Sequence, residues 1–500
     1  MNAAPGNGKT GTPLAFFPIS QYSMKRNIGK TRHPSPEDGE RLFFMAHATF
    51  GRLDFNRIAG KLNPAQHGSN TPVPYGYRWF FNVDEELKSL HFSYSRTHDW
   101  ALINPGQRII DTHFIFPLMH LDPKDPKNYY FRATDGAIRV TQELGQKIFY
   151  RLGTSIEQNS DQAPEHNNTL VPEDFDRYAE VLAGIVRHYT RGWADGFHYD
   201  IRYWEIWNEP ELGTQTWCGT KEEFMRLFVT VFRRLKSEFP ELKIGGPAFT
   251  TPIGEWQTAF MEACKDAGIV PDFYSFHCYT NDPEKLIRRP EEGRALLDSY
   301  GFTGTEVVIN EWHYRQDWTG VIPDSQPDLV RFSLNGPMGH NNIQSAVFNL
   351  AVLMGWQEKP LDVGCYYGCG IDGAFAFRDH EHRWNKCFYS MQMFGEIVSA
   401  YADRVVWTPE PQPRKHIYAL GALSADRKRA AVLIADYGGR DAGVLPFEVA
   451  GLENYRIAEA RQLDDEKDLL PCEVLRNGDR ICVAKKDPGS AAWLIEFEAK

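Results

Sequence analysis

Between about residue 50 and residue 400, short apolar runs alternate with stretches whose apolar residues recur at helical spacing, the pattern of repeated βαβ units around a parallel sheet. One helix is expected over 221–239. Phe224, Leu227, Phe228, Val231, Phe232 and Leu235 form its apolar stripe, Arg226, Arg233, Arg234 and Lys236 lie mostly off it, and Pro240 ends it. Another opens at Pro172-Glu173-Asp174 and stacks Tyr178, Ala179, Leu182, Ile185, Val186 and Tyr189 on one side. Strands are expected at 55–60, 92–98, 147–153, 202–207, 242–246, 273–279, 306–311 and 363–367. Eight strands with intervening helices match a (β/α)8 TIM barrel, whose functional groups gather at the C-terminal strand ends.

After about residue 405 the texture changes. Pro409, Pro411 and Pro413 punctuate a linker, helical periodicity stops, and short strands such as 430–435 and 481–484 follow, with Asn477-Gly478 as a hairpin turn. The expected organisation is an N-terminal segment 1–45, a barrel over 46–404 and an accessory β-sandwich over 405–500, for which 14–19 is a candidate extra strand.

Composition narrows the function classes. A formal charge of −11 and a pI near 5.8 argue against nucleic acid or an anionic membrane as partner, since both reward a basic face. A neutral carbohydrate suits the 13 Trp, 22 Tyr and 32 Phe better, because flat rings cover the apolar faces of sugars. The oligomeric state stays open. Met1 to Arg26 lacks an apolar stretch of signal-peptide length, so the sequence reads as cytoplasmic unless a leader has been removed. The eight cysteines show no zinc spacing and are expected as buried thiols; His380-Glu381-His382 lacks a nearby third ligand, so no metal is expected.

Two strand ends carry the candidate chemistry. Trp204-Glu205-Ile206-Trp207-Asn208-Glu209-Pro210 is an apolar run ending in an amide and an acid, stopped by proline. Strand alternation would put Glu205, Trp207 and Glu209 on one face, with Glu205 deeper as a paired buried carboxylate. Val307-Val308-Ile309-Asn310-Glu311-Trp312 repeats the design, with Val307, Ile309 and Glu311 expected on one face. The two acids are roughly a hundred residues apart, about three βα units, which places them on strands four and seven. Two carboxyl groups flanking one bond are what glycoside hydrolysis needs, and a separation of about 5 to 5.5 Å selects the retaining route.

The stretch from Asp174 through Phe249, with Glu-Ile-Trp-Asn-Glu-Pro at 205–210 and Leu-Lys-Ile-Gly-Gly-Pro-Ala at 242–248, resembles glycoside hydrolase family 39, which contains β-xylosidases and α-L-iduronidase. The resemblance implies Glu209 as general acid/base, Glu311 as nucleophile, a retaining mechanism and no cofactor. Arg96 and His98 resemble the family's Arg-x-His on strand two, and His277 and Tyr279 its strand-six pair. By the same carry-over Arg96 and Tyr279 would donate to Glu311, Asn208 would bind the 2-hydroxyl, and His98 and His277 would donate to other hydroxyls. Strand eight lacks the family's tryptophan floor, for which Trp312, Tyr367 or Trp318 would substitute, and Arg151-Leu152-Gly153-Thr154-Ser155 lacks the aromatic-proline ending usual in xylosidases. The function implied is release of terminal glycosyl residues, β-xylosidase-like or related. An endo-acting polysaccharide hydrolase and a non-catalytic carbohydrate-binding protein are the alternatives.

Overall fold

The computed structural model describes residues 49–70, 82–100, 108–155, 168–315, 340–370, 375–378, 383–410, 416–440 and 442–500. The expected strand at 14–19, Trp318, most of the segment 315–342 and the His380-Glu381-His382 triplet lie outside these residues.

Residues 48–500 form one compact unit. The first strand, β1 (Gly51–Lys61), does not belong to the barrel. It pairs antiparallel with β10 (Asp403–Pro409) and parallel with β13 (Gly443–Ala450), in the C-terminal sheet. The alternation that marks it, with Leu53 and Phe55 buried and Arg52 and Asn56 exposed, is that of a sheet with one wet face. The barrel instead starts at β2 (Gly68–Ser69), too short and too polar to read from sequence.

It closes through β3 (Tyr94–Arg96), β4 (Lys147–Leu152), β5 (Tyr203–Ile206), β6 (Lys243–Phe249), β7 (Phe273–Thr280), β8 (Glu306–Tyr314) and β9 (Val363–Tyr366), which returns to β2; all neighbours are parallel. Helices follow the strands on the outside. The helix Lys221–Glu238 buries the stripe expected of it and starts on a reciprocal cap between Thr220 and Glu223; Phe175–Arg191 starts on the Asp174 side chain and stops at Gly192, whose φ of 71° suits glycine.

The barrel interior is layered. At the N-terminal end Phe149, Tyr203, Phe273, Val308, Val363 and Cys365 form an apolar plug. Gly245 makes room for it, because a Cβ there would lie 2.2 Å from the Phe273 carbonyl oxygen. Above the plug the inward side chains turn polar: Arg96, Arg151, Glu205, Ser275 and Asn310, all fully buried.

The remaining strands are β11 (Ile417–Leu423), β12 (Arg429–Gly439), β14 (Tyr455–Leu463), β15 (Asp468–Pro471), β16 (Val474–Asn477), β17 (Arg480–Lys485) and β18 (Gly489–Ala499). With β1, β10 and β13 they make one ten-stranded, mostly antiparallel sheet, continuous through its hydrogen bonds. It curls over its own core of Leu53, Phe55, Val432, Ile434, Phe447, Ile481 and Trp493. Its central strands are covered on the other face too, where Leu433, Ala435 and Leu494 join the core of the barrel's helices; burial on both faces explains the unbroken apolar run at 430–435. The hairpin at Asn477-Gly478 forms as expected, with Asn477 opposite Arg480. None of the eight cysteines is in a disulfide, and no described helix is long and apolar enough to cross a membrane.

Candidate active site

The face assignments drawn from simple alternation fail at both acidic strand ends, and the failures are informative. At the end of β5 the backbone leaves the extended region: Trp207 has φ 78° and Glu209 φ 45°. The Trp207 ring therefore turns outward against Trp217, Tyr178 and Phe224, while Asn208 and Glu209 both reach into the barrel mouth. In β8 the register against β7 jumps from Ile309 opposite Phe276 to Glu311 opposite His277, leaving Asn310 as an extra residue. Val308 faces inward and Val307 and Ile309 outward, the reverse of expectation; the bulge then brings Asn310 and Glu311 both inside. Left-handed residues at Asp99 and Ala248, with φ 55° and 59°, place further strain around the same mouth.

Arg96 organises the polar layer. Its Nε donates to Glu205 Oε2 at 2.7 Å, its Nη1 to Glu311 Oε2 at 3.1 Å and its Nη2 to Asn208 Oδ1 at 2.7 Å. Glu205 also accepts from Ser275 Oγ at 2.6 Å and from Asn310 Nδ2, so it is the paired buried acid that anchors the guanidinium. With Oδ1 of Asn208 taken by Arg96, its Nδ2 is buried without a partner and available as a donor.

Glu311 accepts a second bond from the Tyr279 hydroxyl at 2.5 Å. Burial raises its pKa above the ordinary carboxylate value and the Glu209 charge adds to this, while His277, Arg96 and the Tyr279 hydrogen bond oppose it. Among the described residues no such cation contacts Glu209. Its one side-chain partner is Nδ1 of His277 at 2.7 Å, and burial with repulsion from Asp99 pushes its pKa up to about 8 against the pull of Arg96. His277 is pushed down to about 4 by burial, so it is neutral near pH 7. Its Nδ1 thus faces Glu209, a pairing that the sequence does not announce.

His98 lines the mouth with Nε2 at 3.7 Å from Glu311 Oε2 and 3.5 Å from Asp99 Oδ2, and burial holds it neutral. Tyr367 donates to Asp99 Oδ2 at 3.0 Å and lines the cavity near His98 and Tyr279. Trp312 does not. Following Glu311 on the strand, it points outward, 1% exposed, with its ring edge-on to Trp356 and Tyr366, so it cannot meet a ligand. The cavity holds about 530 Å³ and is also lined by Leu212, Gln215, Thr250, Phe375 and the cations Lys285, Arg289 and Arg315. None of these stood out in sequence, because each lies in an ordinary loop or helix face.

Glu209, His277 and Glu311 bring ligand-type atoms within 4.8 Å of one another, the one such trio of His, Cys, Asp or Glu groups found among the described residues. A cation there would crowd the Arg96 guanidinium, which already supplies positive charge to Glu311, so the donor set does not favour a metal.

Comparison with known proteins follows the same lines. Residues 82–288 match the model of Glycosyl hydrolases family 39. A β-xylosidase of Geobacillus stearothermophilus is 32% identical over 166 residues, 29% of this chain and 32% of that protein; the chain thus spans about a third of the length of this relative. Among solved structures, a glucosidase from Croceicoccus marinus superposes with TM-score 0.73 at 21% identity, covering 91% of this chain and all of that one. The GH39 enzyme from Xanthomonas axonopodis pv. citri gives 0.65 at 14% identity, covering 91% and 99%. At these identities the superpositions establish the fold.

Proposed function

We propose that this chain is a member of glycosyl hydrolases family 39 and a retaining glycoside hydrolase that removes terminal glycosyl residues, with β-xylosides as the first substrates to test. The observation that carries the reading is the pair of strand-end carboxyl groups, oxygens within 4.8 Å, in unlike surroundings at the barrel mouth. That spacing leaves no room for a water to attack from the far side of a sugar, as inversion requires, and suits direct attack by one carboxylate.

Glu311, held by Arg96 and Tyr279, attacks the anomeric carbon. Glu209, protonated through most of the neutral range, gives its proton to the departing oxygen and then takes one from the water that releases the sugar. A neutral His277 donating Nδ1–H to Oε1 leaves the other oxygen of Glu209 to carry that proton. Asn208 Nδ2 and His98 are the donors nearest the reacting sugar, with Tyr367 beneath it.

A panel of nitrophenyl glycosides (β-xyloside, α-arabinosides, β-galactoside, β-glucoside, α-iduronide) tests this and names the sugar. At least one should be turned over with retention, seen by NMR of the first-formed product. Inversion, or no turnover of any, would overturn the reading.

A further inference from the structure

The cavity is chemically two-sided. One wall, from the ends of β3 and β9 on either side of β2, carries His98, Asp99 and Tyr367. The other comes from the far side of the barrel: Leu212 and Gln215 after β5, Thr250 after β6, and Lys285 and Arg289 in the helix Pro283–Ser299 after β7. Glu209 and its partner His277 belong to this second wall, on β5 and β7. Resting on the glycosidase reading, the sugar that Glu311 attacks lies toward the first wall, and the departing group, protonated by Glu209, passes along the second.

Lys285 and Arg289 are four residues apart, hence on one helix face, and both line the cavity. Lys285 is exposed and has no carboxylate within ion-pair distance among the described residues. Arg289 pairs with Glu292, lies against the Cys278 thiol and lines the cavity one helical turn from Lys285. Arg315 lines the same mouth at the end of β8. In a protein of net charge −11, cations gathered at the opening of a cavity whose floor holds Asp99, Glu209 and Glu311 call for a negative group from outside. A neutral leaving group would leave Lys285 with water alone.

We propose that the leaving-group side of this cavity is a subsite for an anionic group, a carboxylate or sulfate carried by the sugar or aglycone next to the bond that is cut, with Lys285 and Arg289 as its cationic contacts. The natural substrate is then a glycoside whose second unit is acidic, such as a uronic acid or a sulfated sugar.

The test uses the glycon identified by the nitrophenyl panel, placed on three aryl leaving groups: carboxyphenyl, sulfophenyl and the neutral carbamoylphenyl. The quantity read is kcat/KM on each anion relative to the neutral glycoside, in the native protein, Lys285→Gln, Lys285→Arg and Lys285→Gln/Arg289→Gln. Relative to the double variant, the native protein should favour at least one anion by about three- to tenfold at low ionic strength, the range that two partly exposed charge pairs supply. Lys285→Gln should lose part of that preference and Lys285→Arg keep it; high salt should erase it. Which anion gains more separates a carboxylate from a sulfate subsite. Equal ratios in native protein and variants, with turnover intact, would overturn the anionic subsite alone. Absence of turnover of every nitrophenyl glycoside by the native protein would overturn the glycosidase reading beneath it.

Discussion

Glu209 and Glu311 end two barrel strands, lie within 4.8 Å of each other and are both buried, yet the chain surrounds them differently. Around Glu311 the donors converge: a guanidinium fixed from behind by Glu205, and a phenol. Around Glu209 there is one neutral imidazole, with the negative Asp99 acting on it. The donors around Glu311 oppose the burial that raises its pKa, whereas Glu209, without a hydrogen-bonded cation among the described residues, is pushed up to about 8; a double displacement needs one acid ionised and one protonated. The difference is built by local backbone devices: a bulge that sets Glu311 beside His277, and two left-handed residues that swing Glu209 inward.

The harshest way to break the comparison is to remove the proposed nucleophile. Glu311→Ala should lower kcat by about 10⁴-fold or more on every glycoside while the protein stays folded, as read by circular dichroism alongside the assay. Glu209→Ala should be selective instead: about 10²- to 10⁴-fold on glycosides with poor leaving groups, much less for the first step on a nitrophenyl glycoside, with a pre-steady-state burst. Equal losses on both kinds of substrate would reduce Glu209 to a binding role.

The pH profile sharpens the contrast. The proposed mechanism needs Glu209 protonated, and its pKa is raised to about 8, so kcat/KM should fall on the alkaline side near that pH; it needs Glu311 ionised, and that pKa is also raised, so the acid limb should lie above 4.5. Tyr279→Phe removes a donor to the carboxylate, so the acid limb should move up by ~1 pH unit and the alkaline limb should stay. The smallest effect on catalysis is expected from Trp312→Ala. It should cost about 3 to 5 kcal/mol of stability in a denaturant melt, with KM little changed, since its ring packs against Trp356 and Tyr366 and not in the cavity.

Why sequence reading reached both acids yet misplaced their neighbours follows from what periodicity records. Apolar runs such as Val307-Val308-Ile309 announce a strand, and an acid at its end announces itself, but a one-residue bulge inverts every face assignment without altering composition. The error at Trp312 comes from elsewhere. Trp312 follows Glu311 on the strand, and the outward direction of that position outweighs any demand for an aromatic floor. The first barrel strand was missed because Gly68-Ser69 carries no pattern, while the amphipathic Gly51–Lys61 nearby carries a strong one for a different sheet. His277 was found as a residue but not as the partner of Glu209, because pairing across two strands depends on register. Lys285 and Arg289 were invisible for the same reason: only the closed barrel brings that helix face to the mouth.

The division of labour between the two acids is tested most directly by trapping the intermediate. Glu209→Ala is mixed with the nitrophenyl glycoside that the native protein turns over, quenched during the burst, digested and mapped by mass spectrometry. The peptide containing Glu311 should carry the mass of one glycosyl residue, located on Glu311 by fragmentation. A glycosyl group on another residue, or a burst of nitrophenol with no labelled peptide, would contradict the assignment.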